Sequence, residues 1–291
     1  MYVVAGITGH TGKVAAETLL GQGKKVRVVV RDATKGEPWR ARGAEVAVAN
    51  VEDEAALTRA LAGAEGAYLL LPPNLGTGDS LGGNAARAQI LGRAIAAAKV
   101  PHVVFLSSVG AQHRDGTGPI KGLHRAEQEL PRLAPATKFT WLRPAYFVEN
   151  VGSVIAVAKE QGVLPAMLDP KKRIAMIATA DIGRAAAKTL VEGPREGRGS
   201  ILELAGPREV SFDDLASELS TILGREVKTV HVPRASVKTA LMKAGLNADM
   251  AGLYDEMTAG LESGHVDYER NGARFERGSV QPREVLRALA G

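Results

Sequence analysis

Cysteine is absent from the 291 residues, which excludes disulfide bonds, thiolate metal sites and cysteine nucleophiles. No run of about 20 apolar residues occurs, so we predict no membrane-spanning helix. The first residues have no basic segment followed by a long apolar one, and together with the lack of cysteine this favours a cytoplasmic protein. The six histidines are too scattered to indicate a metal site.

The basic residues are scattered as well, which predicts no nucleic-acid partner. The formal net charge of +5 is best interpreted as a mildly basic surface, with attraction of an anionic ligand as the alternative. A chain of this length suits one large α/β domain, or a core domain with a smaller appendage.

Short apolar runs rich in β-branched residues alternate with longer amphipathic segments in the first half of the chain. This alternation is typical of βαβ units in a parallel sheet with helices on both faces. Strands are predicted at residues 2–7, 25–30, 44–49, 66–71, 102–107 and 138–142, and helices at residues 12–21, 52–61, 82–98 and 123–133. We therefore predict an α/β fold with a Rossmann-type doubly wound parallel sheet over residues 1–150.

The pattern becomes less regular after residue 150. Helices are predicted at residues 147–159, 180–191, 235–245 and 248–262, and strands at residues 201–204 and 227–232. Ser211, followed by acidic residues, indicates the start of a further helix. We predict that residues 151–291 form a smaller, mostly helical substrate lobe with segments that return to the sheet.

Three glycines at every third position, Gly6, Gly9 and Gly12, connect the first predicted strand to the first helix. Gly6 permits a tight turn, Gly9 lets the backbone approach a pyrophosphate, and Gly12 allows close packing of helix on strand. The helix N-terminus then offers N–H groups to phosphates. Because a strand precedes the motif and a helix follows it, dinucleotide binding is favoured over a purely structural turn. The candidate contacts in this turn are Gly6, Thr8, Gly9, His10, Thr11 and Gly12.

The second strand ends at Arg31 and Asp32, about 20 residues past the turn, where an acid would bind the ribose 2′-hydroxyl of NAD. A guanidinium instead suits the 2′-phosphate of NADP. Arg31, with Lys35 nearby, therefore favours NADP(H), and Asp32 leaves NAD(H) as the alternative. Alternatively, Arg31 and Asp32 have no binding role and are only a solvated charge pair at the end of the strand.

Residues that follow the other strands are candidate cofactor contacts too, because ligands of such sheets bind beyond the carboxyl ends of the strands. These candidates are Asn50, Leu71, Pro72, Pro73, Ser107, Ser108 and Pro144.

Three segments resemble the NmrA-like group of atypical short-chain dehydrogenases/reductases: VVAGITG at residues 3–9, WLRPAYFVEN at 141–150 and DIGRAA at 181–186. The likeness extends from residue 3 to about residue 233. It implies an NADP(H)-binding protein, and the branch that reduces quinones is the most similar.

The Tyr-x-x-x-Lys pair of most enzymes in that superfamily is missing. If Glu127 and Leu130 match the family's Glu and Leu, Leu123 occupies the Lys position and Pro119 the Tyr position. The usual proton relay for reducing a ketone is therefore absent.

Three other side chains are catalytic candidates, and each has an alternative interpretation without a catalytic role. His124 lies in the correct predicted helix but is equally well interpreted as a surface residue. Tyr146 follows the sixth strand and is better interpreted as pocket lining than as an acid. Ser107 ends the fifth strand, where it could orient a carbonyl or only end the strand.

A quinone needs less protonation in the transition state than a ketone, because charge spreads over a conjugated acceptor. The sequence thus predicts an NAD(P)H-dependent oxidoreductase acting on a flat, conjugated small molecule. The alternative is a non-catalytic NADP(H)-binding redox sensor that acts on a protein partner, and a weaker one is an isomerase or biosynthetic reductase. A monomer or small homo-oligomer is expected.

Overall fold

The computed structural model describes residues 1–72 and 78–291, apart from the side chains of residues 198 and 199. Pro73, one of the predicted cofactor contacts, lies outside the described residues. No described helix is long and apolar enough to cross a bilayer.

The strands are β1 (Tyr2–Val4), β2 (Val26–Val30), β3 (Glu45–Val48), β4 (Gly66–Leu69), β5 (His102–Leu106), β6 (Lys138–Pro144), β7 (Tyr146–Phe147), β8 (Val163–Ala166), β9 (Ile174–Ile177), β10 (Ile201–Ala205), β11 (Glu209–Val210), β12 (Lys228–His231) and β13 (Arg274–Arg277). The helices are α1 (His10–Gly21), α2 (Glu37–Arg40), α3 (Glu54–Leu61), α4 (Ser80–Ala97), α5 (Ile120–Leu133), α6 (Ile155–Gln161), α7 (Thr179–Glu192), α8 (Phe212–Leu223), α9 (Arg234–Lys243), α10 (Ala248–Ser263) and α11 (Pro282–Ala290).

Eight strands form one parallel sheet in the order β13-β10-β6-β5-β4-β1-β2-β3. The strand order reverses where β1 pairs with both β2 and β4. In a doubly wound sheet, ligands bind in the crevice at such a reversal, beyond the carboxyl ends of the strands. The predicted α/β fold with a Rossmann-type parallel sheet is confirmed.

Helices cover both faces of this sheet and enclose two cores. On one face, Leu19 of α1 and Ile182 of α7 join a cluster with Val4 and Val28. On the other face, helices α3, α4 and α5 contribute to a cluster that includes Phe105 of β5. Burial of these aliphatic side chains provides the main driving force for folding, and it fixes the strand ends that carry the candidate site.

The second half of the chain departs from the prediction in several places. Residues 147–159 do not form one helix: β7 is followed by a 3-10 segment over Val148–Val154 and then by α6. Glycine and β-branched residues in this segment disfavour a continuous α-helix. The predicted strand at residues 227–232 exists as β12, but it pairs with β8 outside the large sheet.

Two strands of the second half, β10 and β13, do join the large sheet beside β6. The sequence pattern indicated β10 but neither β13 nor the small sheet β11-β9-β7. The division of the chain at residue 150 stays a prediction.

Candidate functional site

The glycine turn after β1 needs its glycines for steric reasons. Gly6 adopts a φ of +70°, a conformation that favours glycine, and the Gly9 N–H donates to the Gly6 carbonyl at 2.9 Å. A Cβ built on Gly12 would lie 2.5 Å from the carbonyl oxygens of both Ala5 and Gly6. The turn therefore tolerates no side chain at Gly12 without moving backbone.

The N-terminus of α1 is open to an anion. Gly9 precedes the helix without a side-chain cap, and no acidic residue lies in the first turn. The first N–H groups of a helix have no partner within it, so they can bind phosphate.

The side chain of Thr11 is hydrogen-bonded within the core. The Tyr68 hydroxyl donates to Thr11 Oγ1 at 2.9 Å, and both residues are buried. Burial raises the pKa of Tyr68, so this hydroxyl stays neutral. The Thr11 side chain thus belongs to the core, and its backbone amide is the group that remains for a ligand.

A large cavity of about 470 Å³ lies beyond the carboxyl ends of β1 to β4. It brings together five predicted residues: Gly6, Thr8, Arg31, Asn50 and Pro72. Leu71 is buried beside this strand end, and His10 is exposed at the start of α1.

The charges on the large cavity favour a phosphate over a hydroxyl beyond β2. Arg31 and Lys35 both line the cavity and are exposed, and neither side chain has a hydrogen-bond or ion-pair partner in the described part of the chain. Asp32 Oδ1 accepts the Thr34 N–H at 2.9 Å, and this backbone hydrogen bond lowers the pKa of Asp32. Asp32 therefore caps the short 3-10 helix that follows.

A buried ionic network lies behind the end of β5. Ser107 Oγ donates to Glu127 Oε1 at 2.5 Å, and Arg143 Nε donates to the same oxygen at 3.0 Å. Arg143 Nη1 also donates to Glu269 Oε2 at 2.7 Å. Burial opposes the charge of Arg143, but the bonds to Glu127 and Glu269 outweigh it and raise the Arg143 pKa.

This network includes Ser107, one of the three catalytic candidates. The residue is only 3% exposed, and its hydroxyl proton is directed to the Glu127 carboxylate. Ser107 is therefore not free to donate that proton to a carbonyl. Ser108 is half-buried, and the Pro144 carbonyl accepts the Val109 N–H at 3.1 Å, which ties the ends of β5 and β6 together.

His124 lies on a different surface, a groove of about 320 Å³ beside α5 that Glu127 and Arg143 also line. We call it the α5 groove. His124 Nδ1 donates to the Ala111 carbonyl at 2.8 Å, so the neutral ring carries its lone pair on Nε2. The structure thus places His124 beside the buried network.

Tyr146 lines a small cavity of about 200 Å³ beyond the ends of β5 and β6. Its other lining residues include Val109, Ala145, Lys172, Arg173, Ile174, Val266, Tyr268 and Arg270. Burial raises the pKa of Tyr146 to about 12, against a smaller opposing effect of a hydrogen bond with Asn150. The phenol is therefore neutral near pH 7.

The residues of the small cavity after position 150 were not identified from the sequence. They come from separate segments around β9 and beyond α10, which only the fold brings together. Within residues 1–72 and 78–291, no three histidines or carboxylates are arranged to hold a metal ion.

Comparison with known proteins gives consistent matches along the chain. The profile of the NmrA-like family matches residues 2–268. Quinone oxidoreductase 2 of Escherichia coli (strain K12) is 30% identical, and the match covers 91% of this chain and 89% of that relative. An NAD(P)H azoreductase of Xenophilus azovorans is 25% identical over 89% of this chain and 86% of its own length.

A solved structure agrees with the sequence matches. The crystal structure of an NADPH-dependent quinone oxidoreductase from Escherichia coli, in complex with NADPH, aligns with a TM-score of 0.82. The alignment covers 100% of both chains at 26% sequence identity.

Proposed function

The chain belongs to the NmrA-like family, and we propose that it is an NADPH-dependent oxidoreductase that reduces quinones or similarly conjugated acceptors. Relatives named quinone oxidoreductase and azoreductase support a reductase that uses a nicotinamide cofactor. The large cavity, where the Arg31 and Lys35 side chains have no partner among the described residues, is the observation that carries the proposal.

The residues on the large cavity fit NADP(H). Gly9 carries no side chain at the N-terminus of α1, where N–H groups would hold the pyrophosphate, and Gly12 lets that end of the helix pack against the turn. Arg31 and Lys35 would hold the 2′-phosphate, because a guanidinium matches phosphate in charge and shape. We propose these cofactor contacts: Gly6, Thr8, Gly9, His10, the Thr11 backbone, Gly12, Arg31, Asn50, Leu71, Pro72, Pro73, Ser107, Ser108 and Pro144.

Bound NADPH would supply a hydride, and one proton from water would complete reduction of a quinone to a hydroquinone. The residues of this chain would contribute positioning and exclusion of water, which account for much of catalysis by cofactor enzymes. Tyr146 would serve as a neutral wall. Ser107 would hold its strand end in place through Glu127.

The test is steady-state oxidation of NADPH by 1,4-benzoquinone, followed by loss of the nicotinamide absorbance. We expect turnover of at least about 1 per second, within the usual range of enzymes. Tight NADPH binding with no oxidation by several quinones would contradict the proposal and favour the redox sensor. Cytoplasmic location and oligomeric state stay predictions.

A further inference from the structure

The small cavity allows an inference about the acceptor, and this inference rests on the proposed function. We propose that this cavity receives the acceptor and that Lys172 gives preference to conjugated acceptors that carry an anionic substituent, such as a sulfonate or a carboxylate.

The position of the small cavity suits the acceptor. Val109 follows β5, and Ala145 and Tyr146 follow β6, so the cavity lies at the carboxyl edge of the sheet, as the large cavity does. Ligands of doubly wound sheets bind along this edge. The volume of about 200 Å³ is below the range of about 300–1,000 Å³ for drug-sized ligands. An acceptor of one or two rings fits such a space.

The walls suit a planar ring. Val109, Ile174 and Val266 supply apolar surface, and Tyr146 and Tyr268 supply aromatic rings. The Tyr268 hydroxyl donates to the Leu204 carbonyl at 3.2 Å, so its polar end is bonded to the sheet. Apolar and aromatic walls favour a flat conjugated acceptor over a hydrated sugar-like one.

Three cations line the small cavity, and two of them are paired with carboxylates. These pairs are Arg173 with Asp214 at 2.9 Å and Arg270 with Asp267 at 3.2 Å. Their charges are thus largely balanced within the protein.

Lys172 differs from the two arginines. Its ammonium donates to the Glu262 carbonyl at 2.6 Å, and no carboxylate of the described residues lies within ion-pair distance. An ammonium has three donors, so two remain for a ligand. Lys172 is also half-buried, and charges act more strongly where water is partly excluded.

Two acids share the same lining, Glu209 and Asp267. Arg270 neutralises Asp267, and the Glu209 side chain belongs to an exposed residue, where solvent and salt screen its charge. The uncompensated, half-buried charge on the small cavity is therefore positive, and it favours an anionic group on the acceptor.

Lys172 also has a structural role, since Glu262 lies in the last turn of α10 and a lysine there stabilises terminal carbonyls. That role affects stability, but it does not distinguish a charged acceptor from a neutral one. The test must therefore compare two acceptors in each variant.

The experiment measures kcat/KM for 1,4-naphthoquinone-2-sulfonate and for unsubstituted 1,4-naphthoquinone, with NADPH saturating. The variants are Lys172→Met, Lys172→Arg and the control Lys171→Met, whose lysine is exposed and does not line the cavity. A second readout is the Kd of the sulfonate for the cofactor-free protein by calorimetry.

The preference is the kcat/KM for the sulfonate divided by the kcat/KM for the neutral quinone. We expect Lys172→Met to lower this ratio by about tenfold, because one charged hydrogen bond to the sulfonate is lost. The change should appear as a higher KM for the sulfonate. The sulfonate Kd should rise by a similar factor. Lys172→Arg should keep most of the preference, and Lys171→Met should keep all of it. An unchanged ratio in Lys172→Met, with both quinones still reduced, would overturn this inference alone. Reduction of neither quinone by the wild type would overturn the proposed function as well.

Discussion

The two ends of the sheet edge differ in how the chain builds them. The large cavity is formed by residues at the carboxyl ends of β1 to β4 and just beyond them, together with Leu57 of α3 and with Arg87 and Leu91 of α4. The small cavity joins the ends of β5 and β6 to segments more than 25 residues further along, around β9 and beyond α10. Most residues of the first cavity therefore follow strands of the regular βαβ pattern, whereas those of the second are brought together only by tertiary packing.

The buried network of Glu127 provides the largest test of this difference, because it ties β5, α5, β6 and the segment after α10 together. Glu127→Gln should lower the free energy of unfolding by about 3–5 kcal/mol, the cost of leaving part of a buried charge uncompensated. The measurement is urea unfolding.

The matched control is Glu129→Gln on the same helix, where the Arg132 partner is 71% exposed. It should cost less than about 1 kcal/mol, as exposed ion pairs do. Equal losses of unfolding free energy in both variants would show that the network does not hold together the segments that form the small cavity, which we call the acceptor end.

Substitution in the glycine turn should give the next largest effect, a loss of NADPH affinity at the large cavity, which we call the cofactor end. Gly12→Ala places a Cβ against two carbonyl oxygens, so the turn and the start of α1 must shift. A displacement on the order of 1 Å at a positioned site costs about a hundredfold, and we expect that loss in NADPH affinity. Fluorescence titration with NADPH measures it.

Gly21 in the same helix is the control, since a Cβ there meets nothing within 4 Å. Gly21→Ala should keep NADPH affinity and gain about 0.5–1 kcal/mol of stability. If Gly12→Ala bound NADPH as tightly as Gly21→Ala, the turn would not be the cofactor cradle.

The glycine turn and the strand ends around the large cavity could be located from the sequence because their determinants are local, and their role in binding the cofactor stays a prediction. Gly6 and Gly12 follow a strand and precede a helix, and the steric need for both is visible in the fold. Side-chain direction was less predictable: Thr11 turned out to be bonded to Tyr68, and that contact spans 57 positions.

The acceptor end could not be predicted in the same way. Lys172 and Val266 line one cavity although 94 positions separate them, and no sequence period relates them. The engagement of Ser107 by Glu127 likewise depends on how α5 packs against β5. Such contacts follow from the sheet order rather than from a motif.

Substitution of Arg31 should have a smaller effect than that of Gly12, and it should affect NADPH affinity much more than NADH affinity. Arg31→Ala should weaken NADPH binding by about 10–100-fold, because it removes charged hydrogen bonds to the 2′-phosphate, and should leave NADH nearly unchanged. Arg125→Ala, an exposed arginine on α5, should change neither. Equal losses for NADPH and NADH, measured by the same titration, would contradict the NADP preference.

Substitution of Tyr146 should have the smallest effect on turnover. It tests whether Tyr146 only lines the small cavity or also donates a proton. The Tyr146→Phe variant should keep kcat for benzoquinone within about threefold, whereas loss of a general acid costs about 10²–10⁴-fold. Burial raises the pKa from 10.0 to about 12 by favouring the neutral phenol. The folded state therefore gains stability from this residue below pH 10 and loses it as pH rises towards 12.

The Tyr146→Phe variant should lack that alkaline loss, which urea unfolding at about pH 9 and pH 11 would detect as a smaller drop than in the wild type. Its pH–rate profile between about pH 6 and pH 9 should match the wild type, because the phenol does not ionise there. A fall in rate towards high pH that is present in the wild type and absent from Tyr146→Phe would instead assign proton transfer to this hydroxyl. Tyr146 would then take part in the reaction as well as line the small cavity.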